Sequence, residues 1–188
     1  MHDVMTDVET MGKGSNAALV SIGACFFDPL TGDIGASFEV SIDLTSSASL
    51  SEMDADTVLW WLKQDDEARQ KLLTHDVLPL AEALGEFDQW VSQIEDIDTR
   101  NIWGNGATFD NTIIRNAYKA CGMQAPWQFR NDRDVRTIVD LGRRLFNFDP
   151  KTEMPFEGTR HNALDDAIHQ AKYVSAIFQK LQAGVSNG

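Results

Sequence analysis

The sequence predicts one mixed α/β layer fold, and two patterns along the chain carry that expectation. Strand-like segments come first, at residues 3–8, 18–27 and 38–42. Strands then alternate with amphipathic helices, the order that builds one sheet covered by helices. Length and composition agree. A chain of 188 residues with 43% hydrophobic and 24% charged side chains is ordinary globular composition. Such a chain buries roughly 70% of its unfolded surface, enough for one domain over 1–183 with a flexible tail at 184–188.

Each element has its own signal. Residues 18–27 are apolar apart from Ser21 and Gly23, which suits a buried strand and is too short for a membrane span of about 20 residues. A turn cluster follows at 28–33, with Pro29 and Gly32. Phe38, Val40 and Ile42 alternate with Glu39 and Ser41, the period of a half-buried strand. These leading strands are expected to be antiparallel. Residues 46–51 form a serine-rich connection, and Asp54 or Asp56 can cap a helix carrying Val58, Leu59 and Leu62. After Pro79, Leu80, Leu84, Phe87, Val91 and Ile94 mark one face of a longer helix.

Residues 100–103 read as a strand. The next helix carries Ile113, Ile114, Ala117 and Tyr118 and stops at Gly122. Asp134 caps another helix running through Leu145. Residues 146–160, with Pro150, Pro155 and Gly158, read as a long irregular loop, a type of segment that is often functional. The last helix, 162–181, shows Leu164, Ala167, Ile168, Ala171, Val174 and Phe178.

The net charge of −13 excludes a protein that grips nucleic acid by bulk positive charge. The charge is uneven: 52–98 holds 13 acidic and 3 basic residues, whereas 99–160 holds 7 acidic and 10 basic ones. The second stretch includes Arg115, Arg130, Arg133, Arg136, Arg143, Arg144 and Arg160. These are either solvated side chains or a local anion-facing surface. Cys25 and Cys121 make neither a disulfide framework nor a metal-binding spacing. Met1-His2-Asp3 lacks the basic and apolar parts of a secretory leader, so the expected location is cytoplasmic and no membrane partner is expected.

Three short patterns carry chemistry. Asp7 and Glu9 end the first strand two positions apart, so both project from one face. Two carboxylates there repel unless a cation separates them, and hard oxygen donors suit magnesium or manganese; otherwise both lie past the strand end in solvent. Asp110 opens a helix directly after a strand, where open α/β sheets place ligand groups, although aspartate also favours helix starts for its charge alone. His161 and Asp166 differ by about 140° around a helix, so they converge only if His161 lies on the incoming loop. Gly12-Lys13-Gly14-Ser15 lacks the spacing of a phosphate-binding loop. Trp60 and Trp61 offer a candidate base-stacking residue, with core packing the stronger expectation for large aromatics. His2, His75 and His169 read as ordinary surface or core residues.

The ordered set is more specific than its parts. Asp7-Val8-Glu9-Thr10-Met11-Gly12, Ile22-Gly23-Ala24, Asn105-Gly106-Ala107-Thr108-Phe109-Asp110 and His161-Asn162-Ala163-Leu164-Asp165-Asp166-Ala167 together resemble the DEDDh exonucleases. The resemblance runs over residues 3–181 and is strongest toward the small phage and prophage branch. It implies a ribonuclease H-like fold: a mixed sheet with antiparallel leading strands, flanked by helices. It also implies two divalent metal ions, Mg²⁺ or Mn²⁺, held by Asp7, Glu9, Asp110 and Asp166, with His161 as general base. Asp165 falls beside the family aspartate and stays outside the metal set. Thr10, Met11 and Gly12 match the region that meets the terminal nucleotide. The implied reaction is 3′-5′ hydrolysis to nucleoside 5′-monophosphates. Single-stranded DNA with a free 3′ end is the leading partner, and RNA or short oligoribonucleotides are the alternative. A non-catalytic acidic interaction domain is a third reading, and a homodimer stays open.

Overall fold

In the computed structural model, which describes residues 1–72, 74 and 76–186, the first strand lies at the middle of the sheet. The strands are β1 (Asp3–Thr10), β2 (Leu19–Phe27), β3 (Ile34–Ser41), β4 (Asn101–Gly104) and β5 (Asp132–Asp134), in the order β3-β2-β1-β4-β5. The β1–β2 and β2–β3 pairs are antiparallel, and the β1–β4 and β4–β5 pairs are parallel. Hairpin connections give the first three strands, and helical crossovers give the parallel pairs.

Alternation along β1 sorts its side chains between two apolar layers. Val4 and Val8 join Ile22, Ala24, Phe26 and Ile102 on one face. The helices α4 (Leu80–Val91) and α5 (Asp110–Ala120) supply Leu84, Phe87, Ile113 and Ile114 to that layer. Met5 joins Cys25, Phe27 and Trp103 on the other face, with Val139 of α6 (Val135–Phe146) and Ala171, Val174 and Ile177 of α8 (Ala163–Ser186). Asp7 and Glu9 therefore project on the α8 side. A third cluster sets Met11, Ala18 and Val20 against Trp61 of α2 (Ala55–Trp61) and Ala68 of α3 (Asp66–Leu72).

The structure departs from the sequence expectation in several elements. The serine-rich connection contains a short helix, α1 (Leu44–Ala48), because the Asp43 side chain accepts from the Ser46 backbone N–H. Asp54 stands at the start of α2 without capping it; its carboxylate takes the Lys13 backbone N–H at 2.6 Å instead. The expected loop 146–160 holds one turn of helix, α7 (Pro150–Glu153), begun by a proline that needs no N–H there. The last helix continues through Ser186, past the expected end, so most of the expected tail is helical. His75 lies outside the described residues. Among the described residues no helix is long and apolar enough to cross a membrane.

Candidate active site

Asp7 pairs across the sheet with Gly23, and Glu9 with Ser21. Both residues keep part of their surface exposed, while their carboxyl groups lie in a desolvated space. At Gly23 the start of α8 presses directly on the sheet: a Cβ there would stand 2.1 Å from the Ala163 carbonyl carbon. Only glycine fits this contact, which explains the residue's place between Ile22 and Ala24. Asn162 secures the helix start. Its Oδ1 accepts from the Asp165 N–H at 2.9 Å, and its Nδ2 donates to Glu39 on β3 at 2.6 Å.

Asp110 reaches the same region from the other side of the sheet. A Cβ on Gly104, the last residue of β4, would lie 2.9 Å from the Asp110 Cβ and 2.4 Å from Asn111 Oδ1. This close approach buries Asp110, which is only 3% exposed. Asn111 braces the turn, donating to the Ile102 carbonyl and to Asp132.

His161 lies on the loop before α8 with φ of 63°, a left-handed conformation unusual for a residue with a side chain. Its backbone N–H donates to Asp166 Oδ2 at 2.9 Å, which holds that turn. One ligand atom each from Glu9, His161 and Asp166 falls within 4.8 Å of the others. Asp7 lies outside this tight trio but within electrostatic reach of Asp110, Glu9 and Asp166. The five residues thus converge from β1, α5, the 158–162 loop and α8.

Their titration records the crowding. Burial pushes the Asp7 carboxyl well up from the usual carboxylate range, and the charges of Asp110, Glu9 and Asp166 push it further. Glu9 is raised by burial and by Asp166 and Asp110. Asp110 rises to about 7 through burial, opposed by backbone hydrogen bonds and by the Arg136 charge. Asp166 is raised by burial, against the His161 hydrogen bond. Four carboxyls that repel in a shared, partly desolvated space fit a site made for divalent cations.

A pocket of about 380 Å³ adjoins this cluster, lined by Glu9, Thr10, Gly12, Thr57, Trp60 and Phe109 among others. Both tryptophans border this pocket, but they differ in burial. Trp61 is core, 3% exposed, and its Nε1 donates to the Thr10 carbonyl at 3.0 Å. Trp60 is 41% exposed, lines the pocket and meets the His161 ring edge-on at 5.0 Å. Core packing therefore holds for Trp61 alone. Met11 belongs to the third apolar cluster and does not line the pocket, unlike Thr10 and Gly12 on either side of it.

Asp165 acts apart from the cluster. Its Oδ2 accepts from the Thr159 N–H at 2.8 Å, and its carboxylate packs against Gly158. Most of the arginines are engaged locally. Arg115, Arg130, Arg143 and Arg144 pair with Asp132, Asp98, Asp149 and Asp140. Arg136 differs, lying beside Gly106 with its charge felt at Asp110. Gln170, which lies outside the sequence motifs, donates from Nε2 to Asp7 Oδ1 at 2.7 Å. Its one cue in the sequence is its spacing, a helical turn after Asp166 on the same face.

The 3′-5′ exoribonuclease Rv2179c-like domain family matches residues 2–178. The chain belongs to this family. It is a 3′-5′ exonuclease, which sets aside the non-catalytic reading. An exodeoxyribonuclease of Enterobacteria phage T4 is 27% identical over 163 residues, covering 74% of this chain and 71% of that protein. Three solved structures share the fold at low identity. The nuclease domain of 3'hExo, a DEDDh family member bound to rAMP, is 12% identical with a TM-score of 0.61, covering 97% of this chain and 92% of its own. Cell-death related nuclease 4 is 14% identical with a TM-score of 0.65, and exonuclease I is 16% identical at 0.66; each match covers 96% of this chain. The chain spans only 63% and 43% of those two proteins. A five-stranded mixed sheet flanked by helices is thus the ribonuclease H-like architecture that the motifs implied.

Proposed function

We propose that this Rv2179c-like exonuclease domain, residues 1–183, removes nucleotides from the free 3′ end of single-stranded DNA. In this reading Asp7, Glu9, Asp110 and Asp166 hold two divalent cations, Mg²⁺ or Mn²⁺, and His161 is the general base. The observation that carries it is the convergence of these five side chains beside a pocket walled by Glu9, Thr10, Gly12 and Trp60. When bound, such cations neutralise the carboxylates and stabilise charge on the attacking and leaving oxygens of an in-line displacement.

The chain's own groups do the rest. The pocket takes the terminal nucleotide, with its volume within the range of small-ligand sites. His161 accepts a proton from the water that attacks phosphorus. The bond from phosphorus to the 3′ oxygen of the preceding nucleotide breaks, giving a nucleoside 5′-monophosphate and a shortened strand with a new 3′ end. Net negative charge elsewhere is compatible with this, since the cations supply the positive field at the reacting phosphate.

A second reading, RNA as substrate, is favoured by the description of the matching family as exoribonucleases, whereas the phage relative is an exodeoxyribonuclease. The choice depends on contacts to the 2′-hydroxyl. The deciding experiment is a time course on matched DNA and RNA oligonucleotides, labelled at either end, with Mg²⁺, Mn²⁺ or chelator. Faster release of deoxynucleotides from 3′ ends supports the proposal; faster release of ribonucleotides assigns the RNA reading. Cleavage of a closed circular single strand at the same rate would overturn both.

A further inference from the structure

Asp7 sits at the centre of the carboxylate cluster, on the middle strand of the sheet, yet its side chain has a neutral partner. Gln170 lies on α8, four residues after Asp166, and both project toward β1. The Gln170 side chain is buried, 4% exposed, and its Nε2 donates to Asp7 Oδ1 at 2.7 Å. With Nε2 inward the amide donates to the ionised Asp7 that would hold a cation, whereas an amide oxygen there would set lone pairs against that carboxylate. The Gln170 Oε1 is buried without a hydrogen-bond partner among the described residues. Among the described residues the side chain directs its only hydrogen bond at Asp7.

We propose that Gln170 is a positioning residue for Asp7: its amide fixes the carboxylate's orientation and leaves Oδ2 for the reaction centre. The inference rests on the reading of Asp7 as a cation ligand. A cation-binding carboxylate on a strand has two free torsions, and a donor on one oxygen removes that freedom before anything binds. Glutamine suits the position because it donates without adding a positive charge that would compete with a cation. A lysine would neutralise Asp7, and a glutamate would add a fifth carboxyl to four that already repel. Partners of this kind typically alter metal affinity by 10–100-fold when removed.

The test is calorimetric titration of the full chain with Mn²⁺ alone, for the parent, Gln170→Leu, Gln170→Met and Asp7→Asn. Leucine and the unbranched methionine both fill the space without a donor, so either one, if folded, carries the test. The expected result is a 10–100-fold weaker Mn²⁺ affinity in the glutamine variants and a larger loss in Asp7→Asn. Parent affinity in a folded glutamine variant, with Asp7→Asn weakened, overturns the role of Gln170 alone. Parent affinity in Asp7→Asn overturns the site reading and this inference with it.

Discussion

Gly23 on β2 and Ala163 at the start of α8 meet backbone to backbone, with room for no side chain between them. An added Cβ at residue 23 would lie 2.1 Å from both the Ala163 carbonyl carbon and the Leu164 nitrogen. That contact sets how deeply α8 sits on the sheet. Asp166 follows one turn later, so the same contact sets its distance from Asp7 and Glu9, which pair with Gly23 and Ser21 across the two strands. A residue with no side chain thus positions a cluster built from side chains.

Gly23→Ala is expected to push the start of α8 outward, since both clashing groups are backbone and cannot rotate away. Overpacking of this kind costs roughly 1–3 kcal/mol, and a displacement near 1 Å can cost about 10²-fold in rate. The variant should fold with a lowered Tm and lose about two orders of magnitude in turnover. Thermal denaturation beside single-turnover rates checks this. Parent activity in Gly23→Ala would show that the helix start is free to move.

The carboxyl cluster should make the metal-free protein less stable as pH rises. Asp110 goes from an ordinary carboxylate value of 3.8 in the unfolded chain to about 7 when folded. The folded state therefore holds more protons than the unfolded one between those values, and stability falls across that window. Asp7, Glu9 and Asp166 shift in the same direction. Metal-free Tm should drop from about pH 4 toward pH 7, and Mg²⁺ or Mn²⁺ should give its largest gain at the upper end. Asp110→Asn should raise the metal-free Tm at pH 8 by at least about 2–4 °C, the shift per kcal/mol for a chain of this size, while losing activity. A metal-free Tm that rises steadily across this range contradicts the raised carboxyls.

The parts of this site legible in the sequence are those whose geometry is local. Asp7 and Glu9 share a face because strand side chains alternate, and His161 had to lie off the helix because five residues do not close a turn. Gln170 was not legible as a functional group, since its spacing from Asp166 means nothing until Asp7 is known to face it. Trp60 and Trp61 stand about 100° apart on a helix, so one had to turn inward, but only packing decides which. The short strand β5 consists of Asp132, Arg133 and Asp134, a composition against any strand. It is held by Arg115 and Asn111 of α5 and by Trp127 just before it, which hydrogen-bond Asp132 at the sheet edge, contacts that strand composition does not register.

Trp60 is expected to serve substrate binding more than folding. It is 41% exposed beside the pocket, so removing it leaves little unfilled core. Stacking of a base on an aromatic ring contributes about 1–3 kcal/mol, which corresponds to roughly 5- to 150-fold. Trp60→Ala should raise KM for an oligonucleotide within that range and leave Tm within about 2 °C, since exposed positions usually change stability by less than about 0.5 kcal/mol. Trp61→Ala should instead lower Tm substantially, because large aromatic-to-alanine changes in a core cost about 3–5 kcal/mol. Equal effects on KM and Tm from both variants would remove the distinction.

His161 and Asp166 touch through the backbone of one and the side chain of the other, so their variants must be chosen to separate two roles. Asp166 accepts the His161 N–H and so holds a left-handed turn that costs of order 1–3 kcal/mol. Asp166→Ala would release that turn as well as remove a carboxylate. Asp166→Asn keeps an oxygen for the N–H and removes only the charge, and it should weaken Mn²⁺ binding. His161→Ala leaves all four carboxylates and should lower turnover by about 10²- to 10⁴-fold, the usual range for a general base, with Mn²⁺ affinity near that of the parent. A ligand nitrogen of His161 lies within 4.8 Å of Glu9 and Asp166 ligand atoms, so the two measurements together, calorimetry with Mn²⁺ and single-turnover rates, separate a base from a ligand. Weakened Mn²⁺ binding in His161→Ala would make the imidazole a ligand, and parent turnover would remove it from the reaction.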